Sequence, residues 1–510
     1  MQIHKAILKL SPHKAPGPSR IPNAVITHCC EILVPYLGPI YHATFKLGVY
    51  PSAWKTTSTI VLRKPGKPDY MLAKAYRPIM PGECLAKVLS SCIAETLVHH
   101  SMRQHLLPST HFGGLPRRST TDSLHLVVKF IKDAWRRNEV VSALFLDVKG
   151  AFPSISVKKL IHNLRMKGIP VEYTDWLECK LEDHQTTISF NDFTSAPFSI
   201  DDRCDQGCPL LVILYLHYNV GLLEVARMED KELAPGFIDD VVYLDAGPDL
   251  EHMHRKIADM MRRPGSGMEW SVSHNSHFEP NKLQLVDFTR KRQAPEQAGQ
   301  RSAPIPHPSL FLGDQEIKLT HSYKYLGVIL NQELRFKEHV AYALARGTAR
   351  VLQFHRLSKP TMGMPPRYAR QLYKAIAVPR MLYAADIFLI PTAGQNGAGK
   401  SKGSIGFMRR LARVQRTAAL DITGAMRTTA TDVLDAHADV LQFLILVDLI
   451  CYRSALRLAT LSDTHPLHGH VRKARRYVKR HRAPLHVLLH AFNIDPMALK
   501  TISPVHQVPE

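Results

Sequence analysis

Three aspartates stand in the chain where an acid is costly to place. Asp147 stops a near-continuous apolar run at residues 140–148, and Asp239 and Asp240 lie together between two short apolar runs. A carboxylate in such surroundings costs free energy unless it is paired or binds a metal. Oxygen-only ligands suit Mg²⁺, and two ions held by shared carboxylates are the usual device for in-line displacement at phosphorus. Each acid alone is equally typical of a turn or a strand end, so the prediction depends on their context.

The surrounding pattern predicts the elements that position these acids. The run at 140–148 is typical of a buried strand, and residues 237–244 indicate two short strands with the acidic pair at the turn. A third strand is predicted over 323–330, with Gly327 inside it. A further short β-rich run covers 56–62, and helices are predicted over 23–48, 84–106, 120–137 and 156–167. From about residue 335 onward the pattern is largely helical and basic.

The composition limits the class of protein. Hydrophobic residues make up 45% of the 510 residues and charged residues 22%, which is typical of a globular chain and excludes a mostly disordered one. The net charge of +22 favours a polyanionic partner, meaning nucleic acid or an acidic membrane surface. No run approaches 18 apolar residues, so no membrane span is predicted. The eight cysteines show neither a disulfide framework nor zinc spacing, which predicts free thiols in a reducing compartment.

Several short motifs accompany the acids in a fixed order. They are KAPGPSRIPN at 14–23, AYRPI at 75–79, FGGLPRRSTTDSL at 112–124, FLDVKGAF at 145–152, QGCPL at 206–210, FIDD at 237–240, the segment around Lys282, and YLGV at 325–328. In order and residues the chain resembles the reverse transcriptase domain of non-LTR (LINE-type) retrotransposons. The segment at 415–428 also resembles the region after the polymerase core of such elements. The resemblance covers nearly the whole chain.

The resemblance implies a role for each acid and for the lysine that follows them. Asp147 and Asp239 would hold two Mg²⁺ ions, and Asp240 would complete the carboxylate cluster. The primer 3′-hydroxyl would then attack the α-phosphate in line, with pyrophosphate leaving. Lys282 would protonate that pyrophosphate, although a surface lysine is almost as good an interpretation. The YLGV segment would grip the primer near its end, or serve as an ordinary core strand.

The resemblance also implies a nucleotide pocket. Phe152, five residues after Asp147, would lie under the sugar and favour dNTPs over NTPs, with a packed core aromatic as the alternative. Lys64 and Arg77 would pair with the triphosphate, where cations neutralise developing charge; the alternative is two solvated surface cations. Gln206 and Gly207 would line the nucleotide and template pocket, unless they form a plain turn.

The fold expected from the resemblance is α+β, a right-hand polymerase with fingers, a palm carrying a small antiparallel sheet, and a helical thumb. We expect an N-terminal segment of the fingers over residues 1–54, fingers and palm over 55–334, and a basic helical thumb with a C-terminal extension over 335–510. The expected function is RNA-directed DNA synthesis in the nucleus, with an RNA template, a DNA primer or target and dNTPs. Only the polymerase and thumb-like portion is expected, without the endonuclease or an RNase H-like cluster.

Several positions depart from the family pattern. They are Ser19-Arg20, Pro81-Gly82, Pro153, Cys204-Asp205 and Leu211. None removes a predicted metal ligand, but together they suggest drift, so a catalytically silent RNA-binding remnant is the alternative function. A group II intron-type maturase is disfavoured by the segment at 415–428. The basic residues at 472–482 predict a helical stripe that follows phosphates, or merely a solvated basic face.

Overall fold

A computed structural model describes residues 1–200, 207–279, 282–293, 303–357, 363–392 and 404–503. Helices and strands both contribute to the core, which confirms the predicted α+β class. Within these ranges, no helix combines the length and the apolar character that crossing a bilayer requires. The division of the chain at residues 54 and 334 stays a prediction.

The strands of the described residues form two larger sheets and two small hairpins. They are β1 (Thr56–Arg63), β2 (Tyr76–Ile79), β3 (Val140–Leu146), β4 (His184–Phe190), β5 (Phe193–Thr194), β6 (Phe198–Ile200), β7 (Glu232–Leu233), β8 (Gly236–Phe237), β9 (Asp240–Gly247), β10 (Gln284–Phe288), β11 (Arg292–Gln293), β12 (Ala303–Pro304), β13 (Leu310–Leu312), β14 (Gln315–Leu319), β15 (Ser322–Tyr325) and β16 (Val328–Asn331). The first sheet has the order β2-β1-β4-β5, with β6 also on β4. The central sheet has the order β13-β14-β10-β3-β9-β7, with β8 also on β9.

Helices surround both sheets and dominate the last third of the chain. They are α1 (Gln2–Leu8), α2 (Asn23–His28), α3 (Cys30–Lys46), α4 (Ser52–Lys55), α5 (Cys84–Arg103), α6 (Thr120–Arg136), α7 (Val157–Met166), α8 (Val171–Leu181), α9 (Leu211–Tyr218), α10 (Val220–Glu224), α11 (Leu250–Arg262), α12 (Gly267–Ser273), α13 (Lys337–His355), α14 (Pro366–Leu372), α15 (Val378–Met381), α16 (Ala385–Phe388), α17 (Ile405–Thr423), α18 (Thr431–His437), α19 (Phe443–Ala459), α20 (His468–Lys473) and α21 (Pro484–Ala491). The helices predicted over 84–106, 120–137 and 156–167 are confirmed with small differences at their ends, whereas the segment at 23–48 forms two helices divided at Cys29.

The central sheet is buried on both faces, which explains the apolar run at β3. Every residue of β3 is buried. Because side chains alternate along a strand, Val141, Ala143 and Phe145 pack with α6, whereas Leu144 and Leu146 pack on the opposite face with α11. Helix α6 begins at a capping box between Ser119 and Asp122. The two layers of helices fix β3 and β9 rigidly at the point where the acids follow.

The segment predicted as one strand at 323–330 is instead a hairpin, so that prediction is wrong. Strands β15 and β16 pair antiparallel, with Tyr325 opposite Val328. Leu326 and Gly327 form the two-residue turn and have φ values of 43° and 85°. Two consecutive positive φ values are typical of the type I′ turn that joins twisted strands. Gly327 therefore reverses the chain and does not interrupt a strand.

The basic segment at 472–482 is also not a helical stripe. Helix α20 ends at Lys473, and the residues after it run without regular structure until α21 begins at Pro484. The arginines of this segment therefore spread along a loop, and the prediction of a continuous helical stripe is wrong. The loop returns to the palm side of the molecule, where the Arg136 guanidinium donates a hydrogen bond of 3.3 Å to the carbonyl oxygen of His481.

Candidate active site

Asp239 and Asp240 are carried by a tight hairpin between β8 and β9. Phe237 pairs with Asp240, so Ile238 and Asp239 alone form the turn. Ile238 has φ of 59°, a conformation that a β-branched residue rarely adopts and that costs free energy. The strained turn is held from outside, because the Asn219 side-chain amide donates a hydrogen bond of 2.6 Å to the Ile238 carbonyl oxygen.

The backbone at Gly113 closes over this turn. A Cβ atom added at Gly113 would lie 2.4 Å from the Ile238 amide nitrogen and 2.5 Å from Ile238 Cγ1. The adjacent Gly114 has φ of 66°, and a Cβ there would lie 2.4 Å from Val212 Cγ1 on α9. The glycine pair of the FGGLP motif thus lets one chain segment contact the acidic turn directly.

Asp147 follows β3 on the neighbouring strand of the same sheet. The register pairs Leu146 with Val241, so the next residue, Asp147, comes beside Asp240. The Asp147 carbonyl oxygen accepts a hydrogen bond of 3.0 Å from the Glu279 amide, which ties the chain after β3 to the segment before β10. The sheet therefore brings together the three acids that the sequence singled out.

The charges of these acids act on one another. Both carboxylates of the hairpin reach solvent, yet protein atoms crowd them on the inner side. Burial, followed by the charges of Asp239 and Asp147, raises the pKa of Asp240 to about 6. Burial and the charge of Asp147 also raise the pKa of Asp239. Among the described residues, the three carboxylates do not form a group whose ligand oxygens all lie within 4.8 Å of one another.

The charges of the acids also affect the pKa of two tyrosines, the half-buried Tyr323 and the buried Tyr215. Burial, with the charges of Asp240 and Asp147, raises the pKa of Tyr323 to about 12. Burial and the charges of Asp239 and Asp147 raise the pKa of Tyr215 further. Both phenols therefore stay protonated near neutral pH and add no negative charge to the site.

Lys282 lies directly beside Asp147. Its Nζ is 3.4 Å from Asp147 Oδ2 and 2.5 Å from Glu279 Oε2. Burial lowers the pKa of Lys282, but the hydrogen bond to Glu279 and the charge of Asp147 outweigh it, so the net pKa is raised. The hydrogen bond from Lys282 lowers the pKa of Glu279, and the charges of Lys149 and Lys74 add to that effect. These contacts keep Lys282 protonated next to the acids.

Phe152 is half-buried on the side of the acids that faces α9. Its ring centroid lies 5.1 Å from that of Tyr215, whose pKa is raised in part by the charges of Asp239 and Asp147. Phe152 also packs against the core cluster below the sheet. The structure thus places one ring edge in the core and keeps part of the ring accessible near the carboxylates.

Lys64 and Arg77 lie farther out, on the first sheet. Lys64 is half-buried, and its Nζ donates a hydrogen bond of 2.9 Å to the Lys74 carbonyl oxygen. Arg77 is exposed on β2, opposite Leu62 on β1. In the part of the chain that the structure describes, no ion pair joins either cation to the three acids. The structure therefore does not bring these two residues into contact with the acidic cluster.

The predicted pocket pair Gln206 and Gly207 is only partly visible. Gln206 lies outside the described residues. Gly207 has φ of 120°, and a Cβ there would lie 3.6 Å from the Met80 carbonyl oxygen. Gly207 thus stands next to the residues that follow β2, on the side of Lys64 and Arg77.

An open cleft of about 510 Å³ extends from the acidic hairpin towards the C-terminal helices. Its lining includes Asp239, Asp240, the Leu326–Gly327 turn, Arg346 on α13 and Arg380 on α15. Carboxylates and guanidinium groups thus line the same cleft, a combination that suits a strand of phosphates leading to bound metal.

Tyr383 fixes the turn that lines this cleft. Its hydroxyl donates to the Leu326 carbonyl oxygen at 2.9 Å and lies 2.6 Å from Thr120 Oγ1. The sequence did not single out four of these residues, because none belongs to a recognisable motif: Arg346 and Arg380 lie in helices, and Tyr383 and Asn219 lie between helices. Gly113 belongs to the FGGLP motif. The two adjacent glycines of this motif were the one sequence signal that could have indicated a close approach between two chain segments.

Comparison with known proteins gives consistent matches. A sequence model described as "Reverse transcriptase (RNA-dependent DNA polymerase)" matches residues 62–330, more than half of the chain. The chain is 27% identical over 396 residues to the Drosophila melanogaster "Probable RNA-directed DNA polymerase from transposon X-element", covering 76% of this chain and 41% of that protein. It is 23% identical over 391 residues to the Drosophila funebris "RNA-directed DNA polymerase from mobile element jockey", with the same coverage.

Two further matches are weaker. The Drosophila melanogaster "Putative 115 kDa protein in type-1 retrotransposable element R1DM" is 22% identical over 449 residues, covering 85% of this chain and 39% of that protein. Among solved structures, apo telomerase from Candida tropicalis, truncated from the C-terminal domain, aligns over 59% of each chain with 8% identity and a TM-score of 0.36. The chain spans about two fifths of the length of the curated relatives it matches.

Proposed function

Because the chain belongs to the reverse transcriptase (RNA-dependent DNA polymerase) family, in its non-LTR or LINE-type branch, we propose that its acidic site extends a DNA primer on an RNA template. The substrates would be dNTPs, and the products a longer primer and pyrophosphate. The observation that carries the proposal is the placement of Asp147, Asp239 and Asp240 at adjoining ends of β3 and β9.

Members of this family use divalent metal ions, and the acids of this chain fit such ions chemically. All three ligands are carboxylates, the donor type that Mg²⁺ prefers. Burial, and after it the charge of neighbouring acids, raises the pKa of Asp240 and Asp239, and a bound dication would offset both effects. We propose that Asp147, Asp239 and Asp240 hold two Mg²⁺ ions once their side chains rotate towards one another. When bound, the ions would supply acidification of the primer hydroxyl and stabilisation of the leaving phosphates.

The chain's own residues orient the primer. The Leu326–Gly327 turn lies beside Asp239 and Asp240 in the cleft, and Tyr383 holds this turn through the Leu326 carbonyl oxygen. Arg346 and Arg380, which line the same cleft, would neutralise primer phosphates. The turn would thus hold the last primer nucleotide against the acids.

Other residues would act on the incoming nucleotide. Lys282, kept protonated by Glu279 and Asp147, can transfer a proton from Nζ to the leaving pyrophosphate. Phe152 would pack under the sugar and crowd a 2′-hydroxyl. Lys64 and Arg77 would pair with the triphosphate, with Gln206 and Gly207 lining the same pocket. Since Lys64 and Arg77 lie on the first sheet, this step requires that sheet to approach the central one when a nucleotide binds.

Primer extension on an RNA template tests the proposal. The parent chain, Asp239→Asn and Asp240→Asn are compared, and Asp245→Asn on the same strand serves as a matched control. We expect extension by the parent and the control, and none by the two other variants, with RNA binding retained by all four. Equal extension by the Asp239→Asn chain would contradict the assigned role. RNA binding without extension by the parent would favour the silent remnant.

The resemblance also leads us to propose the nucleus as the location, with chromosomal DNA as the target. The basic composition would suit import. A fluorescent fusion of the chain tests this part, and exclusion of the fusion from the nucleus would contradict it.

A further inference from the structure

A second basic recess lies at the end of the central sheet away from the acids. Lys132 of α6, Arg290 after β10, Arg335 before α13 and Arg482 before α21 line one cavity of about 280 Å³. Val141 of β3 pairs with Phe288, and Asp147 lies six residues farther along. At about 3.3 Å per residue, the recess is roughly 20 Å from the acids. It therefore cannot serve the nucleotide in the acidic cleft.

Two of the cations of the recess lie against one aromatic ring. Lys132 Nζ lies 4.6 Å and Arg290 Cζ 4.9 Å from the Trp135 ring centroid. His481 contacts the same ring edge-on, with centroids 5.7 Å apart. The Trp135 indole nitrogen is fixed by a hydrogen bond of 3.0 Å to the Phe288 carbonyl oxygen. The loop at 474–483 thus brings its basic residues to cations of the palm.

These cations repel one another, and among the described residues they outnumber the acids that line the same cavity. Burial, and then the charge of Arg290, lowers the pKa of Lys132 to about 7. Burial and the charge of Arg335 lower the pKa of Arg290, with Glu333 opposing. Of the nearby acids, Glu333 pairs with Arg335 at 2.5 Å.

The other acid at the recess is also engaged. Asp386 Oδ2 accepts hydrogen bonds from His125 at 2.9 Å and from Ser454 at 2.5 Å. Lys132 is half-buried, and Arg290, Arg335 and Arg482 reach solvent, so the recess presents a concave cluster of positive charge, which attracts a polyanion. The surplus of positive charge is therefore best explained by a phosphate-bearing ligand.

An exposed aromatic ring lies next to the recess. Tyr477 is 67% exposed, Arg482 Cζ lies 5.4 Å from its ring centroid, and His490 contacts it edge-on at 5.7 Å. A basic groove combined with an accessible aromatic ring is the usual platform for single strands, because the phosphates follow the cations and an unpaired base stacks on the ring. A duplex offers no unpaired base for this ring.

We propose that this recess and Tyr477 form a second nucleic-acid site, which binds the phosphodiester backbone and one base of a single strand outside the catalytic cleft. The site goes beyond the proposed polymerase activity, and its binding requires neither metal nor dNTP. Its strand comes either from RNA or from DNA, since both present the same phosphates.

Fluorescence anisotropy with the full chain tests this site. The probes are an oligouridylate and an oligothymidylate of about 16 nucleotides, and a duplex of the same length. For Lys132→Met we expect weaker single-strand binding, and a slope of log K against log salt that is shallower by about 0.7. We also expect a melting temperature no lower than the parent's, because the removed Lys132 charge is half-buried and repelled by Arg290. Lys46→Gln on exposed α3 changes the net charge equally and should keep the parent slope.

The aromatic ring provides an independent readout. Tyr477→Leu should weaken single-strand binding roughly five- to a hundredfold, whereas Tyr477→Phe retains it. If Tyr477→Leu loses affinity for both single strands, the site recognises the backbone that RNA and DNA share. If it loses affinity for only one of them, that probe identifies whether the bound strand is RNA or DNA. Two results would overturn the proposal. One is a slope of log K against log salt that is the same for Lys132→Met and Lys46→Gln. The other is a Tyr477→Leu variant that loses as much affinity for the duplex as for the single strands.

Discussion

Gly113 offers a direct test of how the acidic hairpin is positioned. A Cβ at this residue would lie 2.4 Å from the Ile238 amide nitrogen, whereas ordinary contacts of a Cβ begin at 3.4 Å. The neighbouring atom is backbone and cannot rotate away. Gly113→Ala therefore forces the turn that carries Asp239 to move by about 1 Å, or forces the segment at 113 back by the same distance.

The expected loss of activity follows from this displacement. A misplacement of about 1 Å at reacting groups costs about 100-fold in rate. Overpacking a well-fitted site costs about 1–3 kcal/mol in the free energy of unfolding. Since only the tip of one hairpin moves, we expect Gly113→Ala to remain folded and to bind RNA, while RNA-templated primer extension falls by about two orders of magnitude.

The assay is single-turnover primer extension, measured together with thermal unfolding. Gly38→Ala is the matched control, because a Cβ at Gly38 on α3 meets no atom within 4 Å apart from its chain neighbours. Gly38→Ala should keep the parent rate. A Gly113→Ala chain that extends primers within about threefold of the parent would refute the idea that this contact positions the acids.

Two further predictions concern residues outside the acidic trio. Burial raises the pKa of Asp245 from 3.8 to about 7. The native state is therefore most stable when this carboxyl group is protonated, and it loses stability as the pH rises from 4 through 7. Asp245→Asn should increase the free energy of unfolding by up to about 4 kcal/mol at pH 8 and leave it unchanged at pH 4. Urea unfolding across this pH range measures the gain, and a gain independent of pH would contradict the assignment. Tyr383→Phe removes the hydrogen bond to Leu326 and should raise the KM for primer with little change in the melting temperature; an unchanged KM would show that the turn needs no such support.

Residues whose environment is local could be predicted from the sequence. The apolar run of β3 and the short runs around Asp239 indicated buried strands, because strand patterns repeat every two residues and need no distant partner. The acids at the strand ends followed from the same pattern. Their meeting depends on the pairing of β3 with β9, which the order of the motifs implied and the register of Leu146 with Val241 established.

Features that depend on tertiary contacts could not be predicted in this way. Leu326 has positive φ although leucine has no preference for it, so the YLGV segment resembled a continuous strand. The turn is stabilised by Tyr383, which lies more than fifty residues away in sequence. The basic segment at 472–482 resembled a helix because arginine and lysine are good helix formers, but His481 and Arg482 are instead drawn to the cavity near Trp135.

Three of the departures from the family pattern are accommodated by local structure, whereas Cys204 and Asp205 lie outside the described residues. Ser19 donates hydrogen bonds of 2.7 Å from its amide and 2.6 Å from its hydroxyl to the Glu83 carboxylate; an aspartate at residue 19 would instead face Glu83 with like charge. Pro81 follows the last paired residue of β2, Ile79, so it removes no hydrogen bond from the sheet. Leu211 is buried at the start of α9. These substitutions therefore leave the acids and their supports in place, and they give no physical reason for a silent chain.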